Sequence, residues 1–156
     1  MVELAKQVDQ ITFDYAERND SVLLQKLIDA KSKIPESLRI SDTCFTAVAF
    51  VGDGTMTTNH NHPHLDRNDV ISVVITLGDD KVSGGKTLYF DGTSRRKKFS
   101  HSSPYNTCGE VIQSTPFLHG QYQIGPFNKV VHSSETWHGP RVVFSFFLNS
   151  PLLCHF

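Results

Sequence analysis

The chain has 156 residues, 38% of them hydrophobic and 20% charged, with a formal net charge of −1. That is long enough to bury one core, and a charge so near zero excludes a global field that would draw the protein to nucleic acid or to a membrane surface. Nowhere do 18 apolar residues run together, and no apolar run follows positive charge near Met1, so neither a membrane span nor a signal peptide is expected. The cysteines, Cys44, Cys108 and Cys154, are odd in number and widely spaced, with no C-x-x-C pair. They read as reduced thiols packed as small hydrophobes in an intracellular protein, cytoplasmic or nuclear.

From Val2 to about Arg18 the residues Leu4, Val8, Ile11 and Tyr15 recur at the period of one helix face. Asn19, Asp20 and Ser21 supply cap residues before a second stripe of Val22, Leu23, Leu24, Leu27 and Ile28. That helix must stop near Ile34, because Pro35 follows. Neither helix carries a convergent chemical group, so both are expected to buttress a sheet.

After Ser41 the pattern changes to short runs rich in Val, Ile, Thr and Phe, punctuated by Gly, Asp and Asn. The expected strands are Phe45 to Val51, Met56 to about His64, Val70 to Leu77, Thr87 to Phe90, Lys97 to His101, Glu110 to Gln113, Phe117 to Ile124, Lys129 to His132 and Arg141 to Leu148. Many short strands with helices confined to the N-terminal end predict an α+β, mainly β layout with a jelly-roll or sandwich core. One domain over 1–156 is expected, with 1–40 as helical support and 43–149 as the core.

The chemistry concentrates at His64-x-Asp66. In an extended strand, side chains two apart share a face, so this imidazole and carboxylate converge on one point. A histidine from a distant strand would complete the 2-His-1-carboxylate triad that suits non-haem Fe(II), and His132 is the candidate. Arg141 opens the strand Arg141-Val142-Val143-Phe144-Ser145, with Ser145 on its face. A guanidinium beside a hydroxyl is what the far carboxylate of a dicarboxylate needs, and Thr76 offers a second hydroxyl.

This ordered set resembles the Fe(II)/2-oxoglutarate-dependent oxygenases: His64-x-Asp66, then Ser83-Gly84-Gly85-Lys86-Thr87-Leu88-Tyr89-Phe90, then His132 with Arg141 behind it. It looks most like their prolyl-hydroxylase-type branch. The resemblance implies a double-stranded β-helix core, with His64, Asp66 and His132 as iron ligands. It also implies Arg141 as partner of the 2-oxoglutarate carboxylate, with Ser145 and Thr76 near it. The implied cofactors are Fe(II), 2-oxoglutarate as co-substrate and O2, with room for ascorbate, and the implied activity is hydroxylation of a protein or peptide side chain such as proline. Two departures stand out: Thr76 lies where the branch often has tyrosine, and Val143 replaces the serine of the common Arg-x-Ser pattern. His62-Pro63-His64-x-Asp66 and the ending around Gly139-Pro140-Arg141 are also similar to the nucleobase-oxidising branch, so a nucleic-acid oxygenase is the second reading. The third is a non-catalytic metal-binding or sensing module.

Blander roles compete for several residues. His60 and His62 share the face of His64 in a regular strand and are expected to line an entrance. His138 rivals His132 as third ligand but lies three residues before Arg141, in a stretch, Trp137 to Pro140, that reads as a turn. His101, His119 and His155 have no partner in sequence. Arg95-Arg96-Lys97-Lys98 reads as a solvated turn, and Tyr89, Phe127 and Trp137 either shape a cleft or fill a core.

Overall fold

The computed structural model describes residues 1–53, 69–79, 81–91, 110–116, 118–125 and 127–155. The expected strands from Met56 to His64 and from Lys97 to His101 lie outside these, as do His60, His62, His64, Asp66, Arg95 to Lys98, His101 and Cys108.

Helix α1 spans Val2–Asn19 and α2 spans Ser21–Lys33. Asp20 separates them as the cap the sequence suggests: its carboxylate accepts from Leu23 N at 2.9 Å. Ile34 closes α2 in an extended conformation ahead of Pro35. The buried stripe of α1 is Ala5, Val8, Asp9, Thr12 and Ala16. It is rotated from the stripe of large apolar residues, and Tyr15 is exposed. Three small or self-satisfied side chains explain the rotation. Ala5 and Ala16 let neighbours approach closely, and Thr12 Oγ1 donates back to Val8 O at 2.6 Å. Asp9 is buried because it is doubly satisfied: it accepts from Cys44 N at 2.8 Å and pairs with Lys31 Nζ at 2.6 Å.

The strands follow: β1 (Ala47–Asp53), β2 (Asp69–Gly78), β3 (Ser83–Gly84), β4 (Thr87–Phe90), β5 (Val111–Thr115), β6 (Tyr122–Gly125), β7 (His132–Ser134), β8 (Trp137–His138) and β9 (Arg141–Asn149), with a short α3 (Ser150–His155) at the end. The fold is mixed α+β with more strand than helix. A four-stranded antiparallel sheet runs β1-β9-β2-β6, a three-stranded one runs β5-β4-β7, and β3 pairs with β8. Among the described residues these sheets stay open rather than closing on one another.

Several boundaries differ from expectation for local reasons. The strand expected from Phe117 is only Tyr122–Gly125, because residues ahead of it form a turn: Gly120 has φ 73° and its N–H bonds Thr76 O, while Gln121 N bonds Leu118 O. The strand expected from Lys129 begins at His132. Trp137 and His138, expected in a turn, form β8, and the turn itself falls at Gly139, where φ is 103°.

The large sheet has two unlike faces, as period-2 alternation requires. Ile71, Val73, Ile75, Phe146 and Leu148 are buried on one face, in the same core as Ala5, Val8, Leu27, Ala30 and Ile34 of the helical side. Phe45 stacks on Phe146 there, with ring centroids 5.5 Å apart. The opposite face carries Val74, Thr76, Arg141, Val143, Ser145 and Phe147, and looks toward β4 and β7. The helices therefore free one sheet face for polar chemistry by absorbing the apolar one.

Candidate active site

Between the two larger sheets lies a cavity of about 190 Å³. Its lining includes Val74, Val143, Ser145 and Gln123 of the four-stranded sheet beside apolar neighbours from β1 and β9, Thr87, His132 and Ser134 of the other sheet, and Phe127 and Trp137. A shallower hollow on the outer side, lined by Thr115, Pro116, Tyr122 and Gln123, brings no histidine or charged group.

His132 sits opposite Tyr89 in the β4–β7 ladder. Its Nδ1 is 2.9 Å from Val130 O, and a carbonyl only accepts, so Nδ1 carries a proton; in the neutral ring the lone pair is then on Nε2. That tautomer is the one a metal-ligating histidine uses when a backbone carbonyl orients it. The ring packs on Phe127, centroid to centroid 4.8 Å, which holds its plane. His138, the rival ligand, is exposed on β8 opposite Ser83 and does not line the cavity. His119 accepts from Gly78 N through Nδ1 at 3.0 Å, at the surface. Among the described residues no group of three His, Cys, Asp or Glu side chains gathers, and the other two expected ligands, His64 and Asp66, lie outside them.

Arg141 is 1% exposed at the start of β9. Its Nη1 donates to Gly85 O at 2.8 Å and its Nη2 lies 3.5 Å from Thr76 Oγ1. The guanidinium stacks on Trp137, 4.9 Å from the ring centroid. Burial lowers its pKa from the ordinary arginine value, yet so strong a base remains a cation. Gly85, with φ 74°, has no room for a side chain: an added Cβ would collide with Arg141 Nη1. Gly84, φ 76°, is pressed in the same way against Thr136 O. Gly85 is thus the seat of the arginine, and Gly84 lets the chain pass close to Thr136.

Arg141 does not itself line the cavity; Trp137, which does, covers it. Two and four residues along the same strand face, Val143 and Ser145 continue the wall, and Thr76 stands opposite Val143 in the neighbouring strand. The structure thus brings Arg141 and Thr76 into contact and sets Ser145 on the same face, with His132 on the facing sheet.

Gln123 was not foreseen. Its Oε1 accepts from Thr87 Oγ1 at 2.9 Å and from Tyr89 Oη at 3.2 Å, tying β6 to β4 across the cavity. Burial raises the Tyr89 pKa, with a hydrogen bond involving Thr115 opposing the shift. No short motif marks a lone glutamine; only the register of β6 against β2, with Gln123 facing Val74, turns it inward.

No protein-family model matches the chain, and no curated protein matches it.

Proposed function

We propose that this protein is an Fe(II)- and 2-oxoglutarate-dependent dioxygenase that hydroxylates a C–H bond of a protein or peptide side chain such as proline, on a core of the jelly-roll (double-stranded β-helix) type. The observation that carries the reading is the seat of Arg141: a buried guanidinium held by Gly85 and Thr76, on the strand face that leads through Ser145 to a cavity whose other wall holds His132. A buried, oriented guanidinium with hydroxyls nearby is chemistry for a carboxylate.

His64, Asp66 and His132 would hold the metal, and the Nε2 lone pair of His132 fits that role. Bound Fe(II), with 2-oxoglutarate and O2, would supply the oxidising power for C–H hydroxylation, and ascorbate would keep the metal reduced. The chain's own part is positional. Val130 O sets the imidazole, Arg141, seated with Thr76 behind Trp137, would supply the positive charge that attracts the far end of the acid, Ser145 offers a hydroxyl, and Phe127 with Trp137 keeps bulk water from the inner wall.

Gly85 is accounted for by the packing of Arg141 and Gly84 by that of Thr136, so the preference for a peptide over a nucleobase rests on the resemblance of the sequence alone. Equilibrium dialysis against Fe(II) under anaerobic conditions tests the reading. About one iron per chain is expected for the wild type, falling toward zero in Asp66→Ala and His132→Ala; unchanged stoichiometry in both variants would remove the triad. Succinate release in the presence of peptides then assigns the substrate. Release stimulated instead by methylated oligonucleotides, with salt-sensitive binding, would move the assignment to the nucleobase reading, and iron binding with no release to a sensing module.

A further inference from the structure

The C-terminal end of β2 is held on one edge by a turn and not by a strand. β6 pairs with β2 from Ser72 opposite Gly125 to Ile75 opposite Tyr122. Beyond that, Thr76 N donates to Gln121 O at 3.1 Å and Thr76 O accepts from Gly120 N at 2.8 Å. The next N–H that points the same way, that of Gly78, would meet a strand carbonyl if the ladder went on. Instead Gly120, with φ 73°, and the bond from Gln121 N to Leu118 O curl the chain away. The ring of His119 takes the carbonyl's place: its Nδ1 accepts from Gly78 N at 3.0 Å.

Both residues held in this way bear on Arg141. Gly78 stands opposite Arg141 in the β2–β9 ladder, so the backbone of Gly78 alone separates the imidazole from the start of β9. Thr76 carries the hydroxyl that lies 3.5 Å from Arg141 Nη2. The turn and the arginine therefore meet the same end of β2 from its two edges.

This contact has a chemical condition. A ring nitrogen accepts only while it is unprotonated, and an imidazolium offers two donors and no lone pair to the Gly78 N–H. His119 is exposed, so protons reach it. Of the charged side chains on the segment it touches, Asp79 accepts from Lys81 N at 2.8 Å, and aspartate and lysine as types do not change charge where histidine does. Arg141, across β2, stays a cation.

We propose that His119 is a positioning residue for Arg141: as the neutral imidazole it holds Gly78 and the turn that grips Thr76, and on gaining a proton it releases them and loosens the arginine's seat. Its bearing on ligand binding rests on the reading of Arg141 as the charge that attracts the organic acid. Trp137, on which the guanidinium stacks, is the chain's one tryptophan, so its emission reports the seat with no ligand present.

The test compares the full chain with His119→Ala and with His119→Asn, which puts an amide oxygen where Nδ1 stands and cannot titrate. Both change an exposed side chain, and circular dichroism checks that they fold. At about pH 8, where histidine is neutral, Trp137 emission should differ from wild type in His119→Ala and match it in His119→Asn. As pH falls to about 5, the wild type should move toward the alanine emission. His119→Asn should keep just the part of that change that His132 and His138 cause. In the Mn(II)-loaded protein at about pH 8, His119→Ala should bind 2-oxoglutarate about threefold more weakly, the scale of one hydrogen bond between neutral groups, and His119→Asn should bind it normally. Any of three results overturns the inference: wild-type emission in His119→Ala, alanine-like behaviour of His119→Asn, or equal 2-oxoglutarate affinity in His119→Ala and the wild type. If the emission differences appear but the wild type binds no acid, the organic-acid reading falls and the positioning of Arg141 by His119 stands.

Discussion

At the scale of single residues, Gly85 and Arg141 form one unit. The guanidinium occupies the space where a Cβ would stand, and the glycine's φ of 74° is one that L side chains rarely adopt. Gly85→Ala should therefore lower stability by on the order of 1–3 kcal/mol from the backbone alone and unseat Arg141 as well. A thermal melt unchanged from wild type would show that the arginine's seat is not built this way. Tyr89 gives a pH-dependent check. Burial raises its pKa above the ordinary 10.0, so folding favours the protonated phenol. The stability this contributes is complete below the ordinary value and is lost as pH rises through the raised one. Tyr89→Phe should flatten the alkaline limb of the melting-temperature profile; an unchanged limb would place the alkaline loss elsewhere. That Arg141 and Ser145 share a strand face was legible in the sequence, because strand periodicity alone places them so; the contact of Arg141 with Thr76 was not, since it depends on how β2 pairs with β9. Gln123 was not, because its role depends on which strand lies beside β6.

At the scale of elements, the N-terminal helices share one apolar core with the buried face of the sheet, and a few polar contacts fix how they sit. Asp9 ties α1 to α2 through Lys31 and to the segment before β1 through Cys44 N. Asp9→Ala should cost about 1.5–3 kcal/mol, because it strands a buried N–H as well as removing an ion pair. Denaturant melts giving under 0.5 kcal/mol would contradict the arrangement. The same contact governs thiol reactivity. Cys44 is fully buried, and burial, with Asp9 nearby, pushes its thiol pKa well up, whereas Cys154 is exposed. Peptide mass spectrometry after brief alkylation of the native protein should find Cys154 modified and Cys44 untouched until denaturant is added; early labelling of Cys44 would mean that the helical layer opens readily. Helix ends, set by Asp20 and Pro35, could be read from local chemistry. The tilt of α1 could not, since Ala5, Asp9 and Thr12 are buried by what packs on them and not by their own hydrophobicity. The short β3 and β8 were likewise illegible: two-residue strands have no periodicity, and Gly84 pairs there with Trp137, whose ring lies on the arginine.

At the scale of the whole molecule, a sheet with one apolar face and one mixed face explains why a small chain can hold a core and a cavity together. The helices cover the apolar face, and the mixed face turns to the second sheet across the cavity. This layering was legible from the order of helical and strand-like segments, while the sheet order β1-β9-β2-β6 was not, because nothing local tells β9 to insert between β1 and β2. The central claim is that this cavity binds Fe(II) and 2-oxoglutarate together. It is tested most directly by adding Fe(II) and then 2-oxoglutarate to the apo-protein without oxygen and recording the visible spectrum. A metal-to-ligand charge-transfer band that forms in the wild type and is lost in His132→Ala is the expected result. Iron uptake with no band on adding 2-oxoglutarate, or a band of equal strength in His132→Ala, would contradict it.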